Sequence, residues 1–125
     1  GSYVGSDMST SQGNREFTEK VLKYGYQESL QDNRSGQIDG LGRTVSIPRL
    51  PNENMYAVTA PDCIVPVAPA FSVFTYHPGK QSAGIAYRGD YRTFVMGFPF
   101  ESIESEADRA AIMAAVLNFF DDKSF

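Results

Sequence analysis

The sequence holds one cysteine and one histidine among 125 residues. With Cys63 alone, no internal disulfide can form. Cys63 opens the apolar run Cys63-Ile64-Val65 and reads as a buried thiol rather than a nucleophile. His77 is the only side chain with an ordinary pKa close to neutrality. A basic stripe is missing as well. The 11 Lys and Arg are scattered against 15 Asp and Glu, for a formal charge of −4 and a pI of about 4.9. Nucleic-acid backbones require clustered cations, so no nucleic-acid partner is expected, nor an anionic membrane surface. No apolar run approaches the roughly 20 residues of a membrane helix, and no internal repeat is found.

What is there suffices for a core. A hydrophobic fraction of 42% with 13% aromatics sets disorder aside for most of the chain. Residues 1–125 read as a single domain. Tyr3-Val4 looks like the end of a strand, followed by a small-residue stretch to Gly13. A helix is expected next, capped by Asn14, with Phe17, Val21, Leu22 and Tyr24 on its apolar face and Gly25 as its stop. Pro and Gly then recur between short β-favouring runs at Thr44–Ile47, Tyr56–Thr59 and Cys63–Val67. Phe71–Tyr76 and Ser82–Tyr87 flank His77-Pro78-Gly79-Lys80, a hairpin signature. Arg88-Gly89-Asp90 turns into a third strand, Arg92–Phe98, completing a meander.

Ser105 and Asp108 form an acidic capping box for a last helix. Ile112, Val116, Phe119 and Phe120 make its apolar stripe, widened by Met113 and Leu117. So wide a stripe is expected to pack flat across a sheet. Acidic residues at its start and Lys123 near its end suit the helix dipole. The expected class is α+β: a mostly antiparallel sheet with two helices, the C-terminal one across the sheet.

Three segments carry a resemblance: the opening Gly1-Ser2-Tyr3-Val4-Gly5-Ser6-Asp7-Met8, the helix with Lys20-Val21-Leu22 at its centre, and Phe94-Val95-Met96-Gly97-Phe98-Pro99-Phe100-Glu101-Ser102-Ile103 before a helix ending Ala115-Val116-Leu117-Asn118-Phe119-Phe120. Together they resemble the C-terminal part of the amidotransferase-like α/β domain of large secreted proteins of Bacteroides-type bacteria, often labelled xanthan lyases. The resemblance covers most of the chain, through packing motifs rather than chemical ones. It implies an extracytoplasmic protein, a larger parent chain and carbohydrate processing. It also implies a lost triad. Amidotransferases of this kind use a Cys at a strand–helix elbow and a Phe-His-Pro-Glu type segment after a late strand. Here Phe98-Pro99-Phe100-Glu101 keeps the acid but puts Pro99 in the base position, and no Cys lies near the elbow-like Gly5-Ser6-Asp7. A nucleophile without a base stays weak.

The remaining candidates each have a plain structural reading. As a base, His77 would need Ser72 or Ser82 within reach; at a Pro-Gly turn it reads as exposed. Gln31–Asp39 imitates a calcium loop around Gly36, but Gln31 and Gly42 occupy the two end positions and Arg34 adds a positive charge. No metal and no cofactor are expected. Arg88-Gly89-Asp90 matches an adhesion tripeptide, yet Gly-Asp between strands is what a turn needs. Asn33-Arg34-Ser35 is a glycosylation sequon. Tyr87 and Arg88, with Tyr91 and Arg92, could serve a lyase acting on uronic acids, and Ser6 and Asp7 could bind a ligand. Cross-strand packing of Tyr76 and Tyr87 is the plain account of those aromatics.

Two functions follow. One is a non-catalytic accessory or structural module of a larger secreted, carbohydrate-related protein. The other is a hydrolase or polysaccharide lyase using His77 or Glu101, completed by an upstream half. Expected partners are the rest of the parent protein, a polysaccharide, and a second copy through sheet edges near Tyr3-Val4.

Overall fold

The computed structural model describes residues 3–30 and 36–121. The chain is α+β, with two antiparallel sheets and a C-terminal helix packed on the larger one. It opens with two short helices, α1 (Val4–Met8) and α2 (Gln12–Phe17), the second running into a π-helical turn, Thr18–Leu22. Among the described residues seven strands follow: β1 (Tyr24–Ser29), β2 (Gln37–Gly40), β3 (Arg43–Ser46), β4 (Asp62–Pro66), β5 (Phe71–His77), β6 (Ser82–Arg88) and β7 (Arg92–Met96). The last element is α3 (Glu106–Phe120). One sheet pairs β1 with β4; the other runs β3-β2-β5-β6-β7.

The meander β5-β6-β7 forms as its turns require. The first turn is closed by the Lys80 N–H donating to the Tyr76 carbonyl at 2.7 Å, and its left-handed residue is Lys80, at φ 63°. The hairpin β2-β3 turns on Leu41 and Gly42, both at positive φ, which matches strand twist in a two-residue loop.

Strand alternation divides the core. On β6 and β7, Gly84 opposes Met96 and Ala86 opposes Phe94, while Ile85 opposes Val95 between them. Phe94 and Met96 pack with Phe74, Ile112 and Val116, so α3 lies on that face. Ile85 and Val95 pack with Tyr24 and Ile64, so β1 and β4 cover the other. Phe74 is the centre of the helix-side core. It opposes Gly40 on one neighbour and Gly84 on the next, and its ring fills the space that their absent side chains leave.

Several expectations are corrected. Tyr3-Val4 is not strand: Val4 begins α1, and its backbone is hydrogen-bonded locally. Ser11, not Asn14, caps α2, its side chain accepting the Asn14 N–H. Phe17 and Val21 stay exposed, because two short helical pieces present too little continuous face to bury. Lys23, in the left-handed region, ends the π-helical turn, and Gly25 lies inside β1. Tyr56–Thr59 forms no strand. On α3, Ser105 accepts the Asp108 N–H as the capping box requires. Its buried stripe is narrower than expected: Ile112, Val116 and Phe119 are buried, whereas Met113, Leu117 and Phe120 are exposed. Lys123 lies outside the described residues. Arg92 of β7 supplies a cation at that end, donating to the Phe119 carbonyl.

Candidate functional site

Three distant stretches of the chain meet at a cleft of ≈ 600 Å³. Its lining includes Tyr3, Tyr56, Thr59, Met96, Pro99 and Glu101. Tyr3 adopts φ 67°, ψ −14° immediately before α1. The elbow-like segment Gly5-Ser6-Asp7 lies inside α1, after Tyr3. Gly5 is buried and holds its amide 2.8 Å from the Asp62 carboxylate; a side chain at that position would meet the Tyr26 ring at 2.9 Å.

Glu101 sits on a 3-10 turn, Phe100–Ser102, that follows β7 and Pro99. The Tyr56 hydroxyl donates to its carboxylate at 2.8 Å. Its own backbone N–H and the Tyr56 hydroxyl hold the Glu101 carboxyl below its ordinary pKa. Burial, then the bonded carboxylate, pushes the Tyr56 phenol up to about 12. At neutral pH the pair is a protonated donor on an ionised acceptor. Neither member is poised to exchange a proton with substrate. On the other side of the cleft, the Tyr3 hydroxyl and Thr59 Oγ1 share a hydrogen bond of 3.4 Å.

The structure brings Tyr3, Pro99 and Glu101 to one place and keeps the other candidates away. His77 is at the exposed end of β5, with Nδ1 3.0 Å from Asp39 Oδ2. Ser72 and Ser82 bond each other at 2.9 Å and not His77. The Asp39 carboxyl is held below its usual range by the Thr44 hydroxyl and then by His77. Ser6 Oγ donates to the Tyr3 carbonyl, and the Asp7 backbone carbonyl accepts from the Thr10 hydroxyl; both bonds belong to the local turns around α1. Tyr87 packs against Tyr91 at 5.0 Å with Lys23 over its ring. It does not pair with Tyr76, which is buried and donates to the Asp62 carbonyl at 2.7 Å. Arg88 and Arg92 lie on the Phe119 ring, each 5.3 Å from its centre. Cys63 is buried, and burial above all pushes its thiol up to about 11, against thiolate chemistry.

Of the calcium-like loop and the sequon, residues 31–35 lie outside the described residues. Ile38 and Asp39, at the loop's eighth and ninth positions, belong to β2. Among the described residues, no group of three or more His, Cys, Asp or Glu side chains could hold a metal ion, and no helix is long and apolar enough to cross a membrane.

Sequence reasoning missed Tyr56, Thr59 and Asp62. The first two look like strand by composition and come to the cleft only through a loop. Asp62 had a signal: a carboxylate directly before an apolar run, in Pro61-Asp62-Cys63. It is buried, and burial raises its pKa against the opposing pull of the Gly5 N–H. In comparisons with known protein families, with curated proteins and with solved structures, the chain matches none.

Proposed function

We propose that the chain is a non-catalytic accessory or structural module of a larger secreted, carbohydrate-related protein. The secreted setting and the parent chain rest on the sequence resemblance. The observation that carries the non-catalytic part is the chemistry of the cleft. Tyr3 and Pro99 line it, Pro99 being the residue that the resemblance sets in the base position, and Glu101 accepts from Tyr56. Among the described residues no His, Lys or Cys lines the cleft to take a proton, and a proline ring offers none. The partners of such a module are the rest of the parent protein and a polysaccharide. A second copy would pair along a sheet edge such as β3, β7, β1 or β4 rather than at Tyr3-Val4, which is not a strand edge.

The test is a turnover screen of the purified chain on generic esters, amides and acidic polysaccharides, with no activity above background expected. Turnover that survives purification and disappears in His77→Ala or Glu101→Gln overturns the proposal. One observation favours the second reading, a hydrolase or polysaccharide lyase completed by upstream residues. Asp39 orients the His77 ring through Nδ1, as an acid orients the base of a triad. Among the described residues no hydroxyl or thiol is bonded to that ring, so the dyad lacks the group it would activate.

A further inference from the structure

We propose that the cleft at Tyr3, Tyr56 and Glu101 binds a neutral sugar unit and turns away uronic acids. The inference rests on the reading of the chain as a carbohydrate-related module and names the ligand class of that same cleft.

Both phenol rings are half exposed, Tyr3 at 53% and Tyr56 at 49%. The Tyr56 hydroxyl is tethered to Glu101 at 2.8 Å, and that of Tyr3 meets Thr59 at 3.4 Å. The Tyr56 ring is therefore held in place before any ligand arrives, which lowers the ordering cost of binding. A flat, apolar ring face suits the C–H face of a pyranose, and the polar edge suits its hydroxyls. A carboxylate has about four acceptor sites. The Tyr56 hydroxyl and the residue's own N–H take part of that capacity, and the remainder can accept from sugar hydroxyls. The Thr59 hydroxyl can donate as well as accept.

Charge decides between sugar classes. Glu101 is ionised at neutral pH, and among the described residues no Lys, Arg or His lines the cleft. A uronate would bring a second carboxylate next to the first, with no Lys, Arg or His side chain among the described lining residues to offset it, which is selection by repulsion.

Cellotetraose, mannotetraose and tetragalacturonate should be titrated into the labelled chain, following backbone amide shifts by NMR. At least one neutral probe should move the amides of Tyr56, Thr59 and Glu101, with a dissociation constant on the order of 1 mM, as suits an open cleft. Tetragalacturonate should bind at least about tenfold more weakly, a like-charge penalty of the expected size. Tyr56→Ala should weaken the neutral probe by about tenfold, the loss of one stacking ring. Tyr56→Phe, which keeps the ring, should weaken it less. Glu101→Gln should narrow the gap between neutral and acidic probes. Spectra unchanged outside the cleft certify that each variant is folded.

The proposal is overturned if no neutral probe shifts these amides up to about 10 mM, a concentration that would half-saturate even a very weak site. It is equally overturned if tetragalacturonate binds as tightly as the neutral probes, or if the shifts map elsewhere. Cleavage of a bound probe would sink the non-catalytic reading and leave the ligand assignment standing. Absence of both binding and cleavage would do the reverse.

Discussion

Phe74 offers the sharpest test of how the sheet and helix are held together. It is buried, with edge-on contacts to Phe94 at 6.0 Å and Phe98 at 5.6 Å between ring centres. Phe74→Ala should cost about 3–5 kcal/mol, the usual range for emptying a buried aromatic site. In a chain of this size that lowers the melting temperature by roughly 12–20 °C. The informative partner is Gly84. A methyl group there would sit 2.8 Å from Phe74 Cδ2 and 3.2 Å from the Val95 carbonyl oxygen. In the native background, Gly84→Ala should therefore destabilise by about 1–3 kcal/mol through overpacking. Once Phe74 is alanine, the ring is gone and the added methyl lies over the vacated space. The same substitution should then be near neutral, helped by the roughly 0.5–1 kcal/mol that Ala gains over Gly inside a strand. Urea unfolding of the wild type, both single variants and the double variant gives the coupling directly. We expect roughly 1–3 kcal/mol, with the double variant more stable than the sum predicts. Additivity within about 0.5 kcal/mol would refute the account of Gly84 as the space Phe74 occupies. The cleft should feel the change too, because Phe98 rests on Phe74 and leads into Pro99 and Glu101.

Two further predictions concern protons. The Tyr56 phenol should titrate at about 12, and Glu101→Gln should bring it only part of the way back, since burial is the larger cause; ultraviolet titration against a Tyr56→Phe reference reads both, and an unshifted Tyr56 would deny the pairing. Asp62 has a folded-state pKa above its unfolded value, so its folded form keeps a proton that the unfolded chain has lost. Its contribution to stability thus falls as pH rises from the ordinary aspartate range through the raised folded value. Asp62→Asn, which can still accept the Gly5 N–H, should gain on the wild type as pH climbs from acid to neutral; unfolding free energies showing the opposite trend would contradict that burial dominates.

The α+β class, the β5-β6-β7 meander and the Ser105-capped α3 were legible in the sequence because each is set by local rules: period-two runs, turn residues and a capping hydroxyl. The start of the chain was not. Tyr3 and Val4 have strand-forming side chains, yet the left-handed turn at Tyr3 and the bond from Gly5 to buried Asp62 make the segment helical; that bond spans 57 positions and leaves no local trace. The stripe on α3 was overread for a related reason. Composition shows which helix residues are apolar, but only the sheet beneath decides which of them are covered, so Phe119 is buried and Phe120 is not. The cleft lay still further from view. Pro99 and Glu101 stood out in the sequence only through the resemblance, whereas Tyr56 and Thr59 arrive from a loop some forty residues earlier. Sequence by itself determined that the chain offers a single histidine and a single cysteine, since that is a matter of residue type. Tertiary structure alone decided what stands in the cleft, because two phenols and an ionised carboxylate are joined only by contacts across the fold.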